Sequence, residues 1–186
     1  MKTILLSLLV VLSASVLHAQ DRPATIFEAA HTGDMAALQE FLAAGHAITE
    51  TDEIGSTLLH FAADGGQPAM AAYLLDKGLD PNATNNDEFT PLHLAALHGD
   101  SATASLLIAK GALVYTRDKN QMTPLHLCAL RGNIPVAEVL LRNGADVNDI
   151  TTTKWTPLRV SRLAKTAEFE VWLLQHGALE NPEEGK

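Results

Sequence analysis

One short phrase returns along this chain at a fixed interval. T-L-L-H begins at Thr57, T-P-L-H at Thr90 and again at Thr123, and T-P-L-R at Thr156, each 33 residues after the one before. Two glycine columns keep the same step: Gly33, Gly66, Gly99 and Gly132 in one, Gly45, Gly78, Gly111, Gly144 and Gly177 in the other. Ala24 stands one step ahead of Thr57, so a degenerate first unit begins there without any insertion. A period of this length restricts the fold severely. Each unit is a small supersecondary element that cannot bury its apolar face alone, so the units must stack and share a core.

The residues inside the period say what kind of unit it is. Thr followed by Pro starts a helix, since the hydroxyl can cap free backbone N–H groups and Pro suits the first turn. Small pairs follow (Ala29/Ala30, Ala62/Ala63, Ala95/Ala96, Cys128/Ala129) and let this first helix approach its neighbours closely. A second helix carries Phe41/Leu42, Leu74/Leu75, Leu107/Ile108, Leu140/Leu141 and Leu173/Leu174, which fill the shared core. The glycine after it can take the left-handed conformation that ends a helix. Between that glycine and the next Thr lies a polar segment of about eleven residues, expected to project as a β-hairpin-like finger.

These residues resemble the ankyrin-repeat family. The fourth unit, T-P-L-H-L-C-A-L-R-G-N-I-P-V-A-E-V-L-L-R-N-G-A-D-V-N from Thr123, follows the family pattern almost throughout, and the resemblance spans residues 24 to about 180. It implies an all-α solenoid of about five helix–turn–helix units starting near residues 24, 57, 90, 123 and 156. The ends read as caps. Glu28, Gln39 and Glu40 take core-type columns in the first unit. In the last, Arg159, Ser161, Arg162 and Lys165 stand where inner units have His, Ala, Ala and Gly. Residues 181–186 form a short acidic tail, expected to be disordered.

Composition agrees with close-packed small helices. Hydrophobic residues make up 47% of the 186-residue chain but aromatics only 5%, and the net charge is −9. An acidic chain with no basic stripe is a poor match to nucleic acid. A single cysteine, Cys128, cannot form an internal disulfide, so stability must come from packing.

The first twenty residues read as an address. Lys2 is followed by the uncharged run 4–17 and by Ala19 at a plausible cleavage point, the layout of a secretory signal peptide over residues 1–19. The apolar run is shorter than the roughly 20 residues that span a bilayer. The expectation is a cleaved peptide, a mature start near Gln20, no stable membrane anchor and a periplasmic or secreted product.

Candidate chemistry is sparse. His60, His93 and His126 recur one per unit, and three imidazoles can bind zinc. Stacked units lie about 10 Å apart, however, too far for shared ligation. The resemblance implies a structural role instead, with each ring bonded to the Thr of its own turn and to the backbone of the next finger. Cys128 occupies a small-residue core column and reads as a buried, inert thiol. Asn82-Ala83-Thr84 matches the glycosylation sequon, but Asn82 shares with Asn148 a finger-base column that the family uses structurally. There is no phosphate loop, nucleophile elbow or catalytic carboxylate pair, so the expectation is a chain that is not an enzyme and takes no cofactor or metal.

The resemblance implies instead a surface for another protein, formed by finger tips and the exposed part of each first helix. The residue before each Thr reads Ser56, Phe89, Met122 and Trp155, so Phe89, Met122 and Trp155 are expected to align as an apolar stripe. Leu97 and Leu130, expected to be exposed on the first helices, would enlarge it, with Arg131 beside them. The finger tips run from acidic (Glu50, Asp52 and Glu53, then Asp87 and Glu88) to mixed or basic (Arg117, Asp118 and Lys119, then Lys154). Residues 20–100 hold 13 acids against 2 bases, and 101–186 hold 9 against 10, a polarity that would orient a partner. The contact set is Phe89, Met122, Trp155, Leu97, Leu130, Arg131, Glu53, Asp87 and Lys119, on a chain expected to be a monomer. The role expected is an exported inhibitor or immunity protein, with an envelope adaptor for a stress-response enzyme or a secreted effector on a host protein as alternatives.

Overall fold

The computed structural model describes residues 23–180 as ten helices in five antiparallel pairs. The signal peptide expected over residues 1–19 and the tail expected over 181–186 lie outside the described residues. The pairs are α1 (Ile26–Thr32) with α2 (Met35–Ala43), α3 (Leu58–Asp64) with α4 (Pro68–Asp76), α5 (Pro91–His98) with α6 (Ser101–Ala109), α7 (Pro124–Arg131) with α8 (Ile134–Arg142), and α9 (Pro157–Ala164) with α10 (Ala167–Gln175). First helices pack on the first helices of adjacent units, and each packs on its own second helix. The result is an all-α solenoid in which the main contacts run within a unit or between neighbouring units.

One core runs through the array. The small pairs are its densest part: Ala29, Ala30, Ala62, Ala63, Ala95, Ala96, Cys128 and Ala129 are all fully buried. Leu58, Leu59, Leu74, Leu92, Leu107, Leu125 and Leu140 fill the space between layers. Gly65, at the end of α3, shows how tight the stacking is. A Cβ there would sit 1.8 Å from the carbonyl oxygen of His31 in the unit before, so only glycine fits.

Three inner units are locked to the finger that follows them by the same bond set. The backbone N–H groups of Thr57, Thr90 and Thr123 donate to Nδ1 of His60, His93 and His126 at 3.1, 3.1 and 3.2 Å. Each ring's Nε2–H then donates to a carbonyl one finger ahead: Phe89 at 2.9 Å, Met122 at 3.3 Å and Trp155 at 3.1 Å. A backbone N–H can only donate and a carbonyl can only accept, so these partners fix a neutral ring with its proton on Nε2. Burial reinforces this and holds all three rings below their usual protonation range, His93 down to about 4. The structural role expected of this column is what the geometry shows, and both nitrogens of each ring are committed to it.

The fingers are turns rather than hairpins. One isolated antiparallel bridge, Thr51 with Thr57, is present among the described residues. What shapes each finger is a turn residue within it, again 33 apart: Asp52, Asn85, Asp118 and Thr151. Asp52 Oδ1 accepts from the N–H groups of Ile54 and Ser56 at 3.1 and 2.7 Å, Asn85 Oδ1 from Asp87 and Phe89, and Asp118 Oδ1 from Asn120 and Met122. Thr151 Oγ1 accepts from Trp155 N–H. Side chains that close a turn on their own backbone favour Asp and Asn at such positions.

The end units depart from the pattern in a physical way. In the first, helix α1 is capped by Thr25, whose hydroxyl accepts from Glu28 N–H at 3.0 Å. The helix therefore starts one residue later than the 33-residue frame places it, because Ala24 has no oxygen to offer. In the fifth, Arg162 occupies the column of Ala63, Ala96 and Ala129 and lies exposed, donating to Glu170 and Glu180. No helix follows it among the described residues to demand a small side chain.

Asn82 and Asn148 tie each finger base to the next unit. Asn82 Nδ2 donates to Gly111 carbonyl and its Oδ1 accepts from Leu113 N–H, both at 2.9 Å. Asn148 repeats this with Gly177 and Leu179. The amide of the sequon asparagine is thus engaged in the stack.

Candidate functional site

The angle between the fingers and the first helices holds two grooves. The first lies among Asp52, Ile54, Ser56, His60, Phe61, Asp64, Asn85, Asp87, Phe89 and Leu94 and encloses about 280 Å³. The second, of about 520 Å³, is walled by Met122, Leu130, Trp155 and Leu163 over a floor of Val160, with Lys119 and the run Thr151–Thr153 along its finger edge. Both are mainly apolar, and their charges are opposite. The first carries three aspartates and no Lys or Arg; the second carries a lysine and no carboxylate.

The histidine clamps aim both grooves. Phe89, Met122 and Trp155 are the residues whose carbonyls accept from His60, His93 and His126, so their backbones are pinned while their side chains stay half-buried at the surface. The expected apolar stripe is therefore divided. Phe89 belongs to the acidic groove, where its ring lies 5.7 Å from that of His93, and Met122 and Trp155 belong to the other. Trp155 also carries the Arg159 guanidinium over its ring at 5.0 Å.

The expected helix residues separate as well. Leu130 is 42% exposed and lines the second groove. Leu97 is half-buried and packs against the core, contrary to the expectation of an exposed side chain. It lines neither of the two grooves. Arg131 is exposed next to Leu130, and Glu53 is exposed at the first finger tip; neither lines these grooves.

The gradient of finger charge is partly absorbed by the fold. Asp118 is 1% exposed and spends its carboxylate on its own turn. Arg117 is held by Asp149 at 2.6 Å and by the carbonyl of Gln121. Asp87 and Lys119, at the tips of adjacent fingers, meet each other: the Lys119 N–H donates to the Asp87 carbonyl at 3.1 Å and the side chains pair at 3.5 Å. This pair is the seam where the acidic groove ends and the basic one begins. The polarity survives in the grooves more than at the tips.

Several groove residues were not in the expected set. Leu163 continues the Leu97–Leu130 column by one more step of 33, so its signal was present, but its unit read as a cap. Asp64 also lines the acidic groove, and its two oxygens bond His31 Nε2 at 3.2 Å and His98 Nε2 at 2.7 Å, bridging three units. Neither histidine stands in Asp64's own unit: His31 is one step of 33 earlier in the same column, and His98 stands one residue past that column in the unit after. Cys128 is fully buried, and burial pushes its thiol well above the usual range.

A stacked array with this face has clear relatives. Residues 26–118 match the sequence profile for ankyrin repeats in three copies, and residues 120–152 match that for a single ankyrin repeat. The chain belongs to the ankyrin-repeat family, whose units serve as protein-binding modules. It is also similar to protein phosphatase 1 regulatory subunit 27 of Homo sapiens, 38% identical over 64 residues, and to the Mus musculus protein of that name, 36% identical over 64 residues. Each match covers 34% of this chain and 42% of the relative, so the chain spans less than half the length of either. No helix among the described residues is long and apolar enough to cross a membrane.

Proposed function

We propose that this chain is an exported, non-catalytic binding protein that holds a partner enzyme against its finger-and-first-helix side and restrains that enzyme's activity. The observation that carries this reading is the pair of adjoining apolar grooves with opposite charge. Together they can fix both the position and the direction of one partner. The similar mammalian proteins are named as regulatory subunits, which supports action on an enzyme through binding. Export rests on the leader pattern of residues 1–19.

The test is photo-crosslinking in the source cell. A benzoylphenylalanine placed at Phe61 or at Leu130 should yield a defined adduct in the envelope or medium fraction, while one at exposed Glu168 should not. The adduct's partner should lose activity when the purified chain is added. An adduct formed equally well from Glu168, or none from either groove, would overturn the binding face. Recovery of the full-length chain with its leader intact in the cytosol would overturn export, and an active partner in the complex would make the chain an adaptor.

A further inference from the structure

We infer that the second groove seats an acidic, extended segment of the partner protein that inserts one large aliphatic or aromatic side chain between Leu130, Leu163, Met122 and Trp155. This assignment deepens the binding-module reading and rests on it.

The apolar part of the argument starts from Leu163. At 69% exposed, it is the most exposed large apolar side chain among the described residues. The fold does not need leucine there, because the same column holds His31 and Asp64 in the first two units. Single exposed leucines are ordinary, but here Leu163 and Leu130 stand over buried Val160 beside two half-buried side chains, Met122 and Trp155. The volume of about 520 Å³ lies within the range of about 300–1,000 Å³ over which proteins bind small groups. Aromatic and Met side chains in such a setting are typical of interface anchors.

Charge selects the kind of segment that enters. No carboxylate lines this groove, and its margin is basic. Lys119 lines it, and exposed Arg159 lies over Trp155. Lys119 pairs with Asp87 at 3.5 Å, and both side chains are exposed, so the pair yields readily to a better-placed carboxylate. Exposed threonine hydroxyls of Thr152 and Thr153 add donors on the finger edge. A basic segment would meet like charge at Lys119 and Arg159, and the adjoining acidic groove would draw it away.

The experiment uses the purified chain and a random twelve-residue peptide library displayed on phage. Enriched peptides should carry Leu, Phe, Trp or Met with two or more Asp or Glu within three residues of it. For the best synthetic peptide, Leu163→Ser and Arg159→Glu should each weaken binding about tenfold or more, Leu163→Met should restore it, and Asp64→Asn should leave it unchanged. Binding should also weaken steeply with added salt. Both groove positions are exposed, and circular dichroism on each variant checks that it is folded. Enrichment of neutral or basic peptides, no enrichment at all, or binding indifferent to Leu163→Ser would overturn the assignment. So would peptides lost with Asp64→Asn, although crosslinks from Phe61 would then still uphold the binding module. Concentration-dependent self-association in sedimentation that Leu163→Ser abolishes would give the groove to a second copy of this chain and likewise overturn it.

Discussion

The two grooves are made by the same scaffold and carry opposite charge. Each has an apolar wall set by the residue before a helix-capping Thr, and each such residue is pinned through its carbonyl by a histidine one unit back. The turn residue within the finger differs between them, Asp52 and Asn85 on one side and Thr151 on the other, yet it closes the same turn. The differences lie in the columns that the scaffold leaves free. Where the first groove has Asp64 and Asp87, the second has Leu130 and Leu163 in the one column and Asn120 and Thr153 in the other, with Lys119 beside them. The comparison shows that position and chemistry are encoded separately: the period fixes where a groove opens, and a handful of exposed columns fix what it accepts.

If the scaffold is common to both grooves, disabling its clamps should unfold both together. Acid does this. The folded rings are held below the unfolded histidine value of about 6.5, so the unfolded chain takes up protons first. The clamps' contribution is complete above pH 6.5 and is lost as pH falls toward 4. For His93, a drop from 6.5 to about 4 corresponds to roughly 3 kcal/mol, and His60 and His126 add to it in the same direction. Thermal melts between pH 7.5 and 4.5 should show the midpoint falling steeply. Tryptophan fluorescence, which reports Trp155 and Trp172, and circular dichroism, which reports all ten helices, should move together. Two separated transitions would show that the halves are independent and break the comparison.

A smaller effect is expected in the middle unit. Thr103 is fully buried in α6, and its hydroxyl has no hydrogen-bond partner. The same column carries Met70 one unit earlier and Val136 one unit later. Thr103→Val should therefore raise stability by about 1 kcal/mol, read by urea denaturation, without altering ligand binding at either groove. A loss of stability would mean that the hydroxyl has a role the packing does not reveal.

The smallest effect is confined to one groove. Asp64→Asn weakens the His31–Asp64–His98 bridge, whose members are all substantially exposed, so the change in stability should be within about 1 kcal/mol. Crosslinking through Phe61 should respond to it, and peptide binding at Leu163 should not. An equal response at both sites would show that the grooves are coupled through the stack and would sharpen the comparison into a statement about transmission.

Much of this was legible without coordinates. The step of 33 from Thr57 to Thr156 placed the inner helix starts, and the small pairs and leucine columns identified the core. The histidine column could be read as a clamp because the resemblance to ankyrin repeats implied one, with each ring bonded to the Thr of its own turn and to the next finger. Charge at the finger tips read less well. Asp118 and Lys119 are neighbours in sequence, but one closes a turn in the interior and the other points to solvent. A linear count of charge cannot tell these apart.

What the sequence determined by itself is periodic and local: unit length, helix caps, the glycines that end second helices, and the small residues that let helices approach. These follow from backbone sterics and from the need of every unit to bury one face. What only the tertiary structure decided depends on neighbours in the stack. It separated Phe89 from Met122 and Trp155, covered Leu97 while leaving Leu163 open, and joined Asp64 to histidines from the units before and after it. A side chain's exposure and partners depend on which unit stands beside it. A repeating sequence specifies the same neighbour everywhere except at its ends and in its variable columns, and there the binding chemistry resides.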